Sequence, residues 1–192
     1  MVTAKQLGLG FTALILWVTA SAQAAELSYT YIEADYAALE IDDTDNDGGG
    51  FRLAASAAVA EQVHVFGAFA DYDLDGSTDR EDFSLGLGLS TPLRPNTDLF
   101  GRLSYEDWDF DGRRGGGSRD GLGLRVGLRS LVNPQVELNG NLVHYALDGE
   151  DATGMGLGGV LSLTPSWGVA TDFEFTDEET RFRLGARYFF SF

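Results

Sequence analysis

The 192-residue chain carries thirty Asp and Glu against thirteen Lys and Arg, a formal net charge of −17, and has no cysteine. A balance this acidic excludes a nucleic-acid-binding surface, which needs basic side chains against phosphate. No disulfide framework is available, so an exported chain of this composition is stabilised by its core or by a membrane, and its 44% hydrophobic and 12% aromatic content speaks against disorder.

The N-terminus reads as an export signal. Lys5, the chain's one lysine, precedes an apolar run from Leu7 to Val18, and Ala22-Gln23-Ala24 fits a small-residue cleavage site. The run is short for a transmembrane helix. Residues 1–24 are therefore expected to be a signal peptide and 25–192 a single mature domain.

Beyond it, apolar residues alternate with polar or small ones. Phe83, Leu85, Leu87 and Leu89 interleave with Ser84, Gly86, Gly88 and Ser90; Leu122, Leu124, Val126 and Leu128 do so with Gly123, Arg125, Gly127 and Arg129. Period two predicts strands with one apolar face. Ten segments follow, near 27–39, 49–60, 63–73, 81–91, 97–108, 119–131, 135–147, 154–164, 167–176 and 180–192. The faces are least distinct in the third and ninth.

The connections are of two kinds. Ala60-Glu61-Gln62, Pro92 to Asn96, Val132-Asn133-Pro134 and Pro165-Ser166 are short and hold all four prolines. The others, 40–48, 74–80, 109–118, 148–153 and 177–179, are acidic and mostly Gly-rich. Short turns at one rim and longer loops at the other predict an all-β, antiparallel, up-and-down outer-membrane barrel with its short turns in the periplasm. Ten strands return Phe192 to the periplasmic side; eight, with two segments as loop excursions, is the alternative. A soluble sandwich would bury the apolar face, but the opposite face here is Gly, Ser, Ala and charge, which suits a narrow lumen.

The C-terminal Arg187-Tyr188-Phe189-Phe190-Ser191-Phe192 resembles that of small bacterial outer-membrane proteins. That resemblance implies a barrel-assembly signal at Tyr188, Phe190 and Phe192. The segments 28–36 (Ser-Tyr-Thr-Tyr-Ile-Glu-Ala-Asp-Tyr), 64–69 (His-Val-Phe-Gly-Ala-Phe) and 96–100 (Asn-Thr-Asp-Leu-Phe) resemble a xanthomonad-type family of outer-membrane and vesicle proteins, members of which were once proposed as secreted signals or immune elicitors. The resemblance implies location and fold, and carries no catalytic residues.

Parity with the apolar face points Glu33, Asp35, Arg52, Asp71, Arg102, Glu106, Arg125, Arg129, Glu137, Asp172, Glu174, Arg181, Arg183 and Arg187 inward. If the first and last strands close the barrel, Arg183 and Arg187 come level with Glu33 and Asp35. Arg can pair both oxygens of a carboxylate, and buried charge demands pairing, so a cross-lumen network is expected. A structural plug is the favoured reading of that network; a charged constriction in a narrow porin-like channel is the alternative.

The pattern D-x-D-x-D-G occurs three times, at Asp43, Asp45 and Asp47, at Asp71, Asp73 and Asp75, and at Asp107, Asp109 and Asp111. Carboxylates two apart before a Gly gather hard oxygen ligands around a turn, as calcium loops do. Only the middle copy has an acid, Asp82, at the twelfth position, and none has flanking helices. Ca²⁺ or Mg²⁺ here would bridge acidic loops to anionic lipopolysaccharide; no other cofactor is expected.

Tyr29, Tyr31, Trp167, Tyr188 and Phe190 fall near periplasmic strand ends, and Tyr36, Tyr72, Tyr105, Trp108 and Tyr145 near the loop rim, which predicts two interfacial girdles. An enzyme reading is thin. His144, near Asp148 and Glu150, is the one candidate for a hydrolase centre, and no nucleophile–base–orienter set accompanies it. Gly121-Leu122-Gly123 and Gly156-Leu157-Gly158-Gly159 lie inside strands, so they signal lumen space rather than nucleotide binding. The expectation is a non-enzymatic, monomeric barrel with a structural or surface-interaction role. Its expected partners are outer-membrane lipid, lipopolysaccharide and the assembly machinery, in the outer membrane and shed vesicles of a Gram-negative cell.

Overall fold

A computed structural model of the chain describes residues 27–41, 47–74, 78–112 and 116–190. The expected signal peptide lies outside these residues, as do Asp43, Asp45, Asp75 and Phe192. The described chain forms β1 (Tyr31–Ile41), β2 (Asp47–Ala60), β3 (Val63–Leu74), β4 (Thr78–Arg94), β5 (Thr97–Gly112), β6 (Gly117–Asn133), β7 (Val136–Leu147), β8 (Glu150–Ser162), β9 (Trp167–Thr176) and β10 (Glu179–Phe189). Each strand pairs antiparallel with its sequence neighbours, and β1 with β10, so the ten close into one barrel.

Alternation sets which face points outward. On β6, Leu122, Leu124, Val126 and Leu128 are exposed on the outside, while Gly123 and Arg129 are buried within. On β4 the outward apolar residues run from Phe83 to Leu93, the length of a transmembrane strand, about 9–11 residues. Above Phe83 the same face carries Glu81 and Asp79, which marks the outer edge of the apolar band.

The short turns repeat one device. Strand pairing skips one residue beside each of three turns, at Val59, Leu93 and Val132, a bulge that absorbs the extra residue beside a tight reversal. Those three residues and Leu163, in the fourth turn, are left exposed. The backbone carbonyl of Gln62, Asn96, Gln135 or Ser166 then accepts from the amide of Ser90, Leu131, Ser162 or Phe189. Each turn is thereby tied to the strand that returns from the following hairpin.

The outer end differs from the sequence expectation. The acidic stretches expected as loops at 74–80, 109–118 and 148–153 are largely strand: β4 begins at Thr78, β5 runs to Gly112, and β7 and β8 are joined by Asp148-Gly149 alone. Gly149 sits at φ +86°, the left-handed conformation that an Asp-Gly hairpin turn requires. Asp and Gly are poor strand formers, but Asp79 pairs with Asp111 and Asp109 with Ser118. An established ladder thus outweighs local preference. β4, β5 and β6, at 16–17 residues, stand above β1, β9 and β10, at 10–11.

Candidate functional site

The lumen is built from inward positions of all ten strands, and it is layered. At the end of the short turns, Tyr29 stacks on His64 with ring centroids 4.6 Å apart, and its hydroxyl donates to Asp98 at 3.1 Å. Arg129 grips both oxygens of Glu137, at 2.6 and 2.8 Å, with its guanidinium 4.6 Å from the Tyr29 ring. Arg102 donates from Nε to His64 Nε2 at 3.1 Å.

Midway, Arg187 donates to Glu33 at 2.5 Å, and Arg52 reaches Glu33 at 3.2 Å and Asp35 at 2.7 Å. Arg125 binds Glu174 at 2.5 Å, Asn141 at 2.6 Å and the Tyr145 hydroxyl at 3.1 Å. Arg183 bridges Asp172 at 2.9 Å and Glu174 at 3.0 Å. Glu106 accepts from the Ser104 hydroxyl at 2.5 Å. Most of the lumen charges expected from parity are therefore brought together in pairs, while Arg102 and Glu106 meet only His64 and Ser104.

At the outer end a second ionic group was only partly legible in sequence. Arg80, 1% exposed, holds Asp82 at 2.6 and 3.0 Å and Glu179 at 2.6 Å. Arg181 pairs with Glu179 and lies 3.5 Å from Asp82. Both guanidiniums lie over Trp108, at 4.2 and 4.7 Å. Apolar packing surrounds them: Ala37, Leu39, Ala70, Tyr72 and Leu74 form one buried cluster, and Trp108, Val143, Tyr145, Leu147 and Ala152 another. The signal for Arg80 was available, since it shares parity with Ser84, but 74–80 reads as loop from its acids and glycine.

Several assignments change. Asp71 faces outward: β3 buries His64, Ala70, Tyr72 and Leu74, and both its faces are apolar enough to hide the parity. Arg183 pairs across from Ala37 rather than beside Glu33 or Asp35, so of these two β10 arginines Arg187 alone meets an acid of the first strand. Tyr29, Tyr31, Tyr72, Trp108 and Tyr145 lie buried inside, while Tyr36, Tyr105, Trp167 and Tyr188 remain outside as girdle residues. Trp167 packs on Tyr188 at 4.9 Å, and Tyr188, expected in an assembly signal, is exposed on the outer face.

The described cation residues do not form cups. Asp82 turns inward, its oxygens taken by Arg80, away from Asp71 and Asp73 on the outer face. Asp107, Asp109 and Asp111 lie along β5 rather than around a turn. Across β3, β4 and β5, Asp73, Asp79 and Asp111 stand side by side, as do Asp71, Glu81 and Asp109. Asp47 opens β2 and is exposed. Among the described residues no three acids or histidines converge on a metal position. His144 faces outward, its Nδ1 2.9 Å from the Thr153 hydroxyl.

Between the two end caps lies a chamber of about 170 Å³, lined by Tyr31, Arg52, Arg102, Ser104 and Glu106 among others. Glycines give the polar lining its room. A Cβ at Gly88 would come within 2.1 Å of the His64 ring, and one at Gly185 within 2.4 Å of Asp35.

A family model described as the outer membrane protein beta-barrel domain matches residues 10–164, and β9 and β10 follow the matched region. Among solved structures the chain is similar to Ail, the attachment invasion locus protein of Yersinia pestis, at 17% identity over 83% of this chain and 95% of that one, TM-score 0.43. It is also similar to the KdgM porin, at 10% identity, 83% and 99% coverage and TM-score 0.48. Neisserial surface protein A is similar at 14% identity, 85% and 98% coverage and TM-score 0.43. No curated protein matches the chain.

Proposed function

Because this chain belongs to the outer membrane protein beta-barrel domain family, we propose that it acts as a non-enzymatic barrel with a closed lumen, working through its outer surface. It is an integral outer-membrane protein of a Gram-negative bacterium. The observation that carries the proposal is the pairing of Arg125, Arg183 and Arg187 with lumen carboxylates beneath the cap of Arg80, Arg181 and Trp108. An ion crossing the lumen would have to break these pairs and displace the apolar cap. Planar-bilayer recording tests it. The closed barrel gives no single-channel steps at moderate voltage, and stable steps altered by Arg125→Ala would establish the narrow channel instead.

The surface role rests on the outer face of β3 to β6. Like carboxylates directly opposite one another repel, and Asp73, Asp79 and Asp111 are so placed in register. Divalent cations spread over this face, rather than seated in one site, would relieve the repulsion and join it to anionic lipopolysaccharide. Membership of the xanthomonad-type vesicle proteins that the sequence resembles belongs to the same proposal, as does a cleaved signal peptide. Binding to lipopolysaccharide-containing bilayers that is lost on chelation and restored by Mg²⁺ supports the surface role; binding indifferent to chelation refutes it.

A further inference from the structure

We propose that the mid-barrel chamber is a binding site for a small amino-carboxylate, which places its carboxylate on Arg102 and Tyr31 and its ammonium on Glu106. This goes beyond the closed-barrel reading, since a closed lumen requires no occupant.

Arg102 carries the argument. The midway arginines, Arg52, Arg125, Arg183 and Arg187, each meet a carboxylate within 4.0 Å. Arg102 meets none among the described residues; its Nε is occupied by His64, and Phe66 and Phe100 lie beside the guanidinium at 4.8 and 5.7 Å. A guanidinium stays charged whatever its surroundings. Taken out of bulk water, it calls for a counter-anion, and its two terminal nitrogens offer the fork that grips both oxygens of a carboxylate. Tyr31 adds a second donor: it is 7% exposed, lines the same chamber, and its hydroxyl meets no acceptor among the described residues.

Glu106 supplies the opposite charge. It lies four residues along β5 from Arg102, on the same inward face, so their Cα atoms are about 13 Å apart at the usual rise. The side chains fill part of that interval. Glu106 is 9% exposed, and its one hydrogen bond among the described residues comes from Ser104. No arginine lies within salt-bridge reach of it among the described residues. The chamber therefore has a guanidinium toward one end and a carboxyl group toward the other, neither in contact with an ion-pair partner among the described residues. Its volume, about 170 Å³, is below the range of drug-sized ligand sites, about 300–1,000 Å³. A small molecule with both charges completes both groups at once. Carboxylate alone would leave Glu106 unpaired, and amine alone would leave Arg102 so.

The test uses the mature barrel refolded in detergent with each probe present during refolding, so that entry past the end caps is not required. The probes are acetate, ethylammonium, glycine, β-alanine and 4-aminobutanoate, read by the thermal unfolding midpoint. A saturable upward shift is expected for at least one amino-carboxylate, with optimum length reporting the gap between the two groups. Its affinity should exceed acetate's by at least about tenfold, the scale of one charge-assisted hydrogen bond. Glu106→Gln should reduce the best probe to acetate's affinity, and Arg102→Gln should abolish the shift. If Arg102→Gln does not fold, Arg102→Lys, which keeps the charge and loses the fork, should weaken binding with the length optimum retained. No saturable shift with any probe overturns the proposal, as does acetate binding as well as every amino-carboxylate, or binding unaltered by the Arg102 variants.

Discussion

Arg187 on β10 donates from Nε to Glu33 on β1 at 2.5 Å, and the two residues face each other in the register that closes the barrel. The same Glu33 also receives Arg52 from β2. One carboxylate therefore links both chain ends to the second strand, inside the seam that only long-range pairing can form.

Arg187→Ala should destabilise the folded barrel by about 3 kcal/mol, the low end for removing one member of a buried pair, because Arg52 still neutralises Glu33. Denaturant unfolding in detergent measures it. Arg187→Ala combined with Glu33→Gln should lose less than the sum of the two single changes, since neither charge is then left alone. Simple additivity would show that the seam contact is energetically idle.

Gly88 faces the lumen where His64 lies. Because a Cβ there would come within 2.1 Å of the imidazole, Gly88→Ala should cost about 1–3 kcal/mol, the usual range for overpacking. The loss should shrink in the background of His64→Ala, which empties the space. A wild-type midpoint for Gly88→Ala would mean that the ring is not held against β4.

Both of these relationships were half visible in the sequence. Alternation identified Arg187, Glu33 and the inward parity of Gly88, because a period of two is a local property. The partner of Arg183 was not visible: closing β1 on β10 puts Ala37 opposite it, and its acids, Asp172 and Glu174, come from β9. Asp71 and Tyr72 were exchanged between faces because Val65 and Phe69 outside match Phe66 and Tyr72 inside in apolar character. The outer cap was hidden for another reason. Arg80 and Glu179 lie in stretches that read as loop, and Trp108, at the end of the fifth expected strand, reads as an outer girdle residue; ladder pairing with neighbours extends the strands through them.

The acidic outer wall should respond to salt. Asp79→Asn with Asp111→Asn removes like charges that face each other across β4 and β5. The double variant should raise the unfolding midpoint at low ionic strength without divalent cations. The gain should fade toward 1 M salt, where screening shortens to about 3 Å. A gain that persists at high salt would assign the effect to strand propensity instead.

The closed lumen is tested most directly by accessibility, which a chain without cysteine permits. Ala68 lines the chamber, Asp79 stands on the outer wall, and Leu85 faces lipid. Single Cys substitutions at the three positions, in barrels reconstituted into bilayers, can be exposed to a membrane-impermeant maleimide. Asp79→Cys should label readily, while Ala68→Cys and Leu85→Cys stay unlabelled until the barrel is unfolded. Labelling of Ala68→Cys as fast as Asp79→Cys would contradict a lumen sealed by the Arg–carboxylate network and its cap.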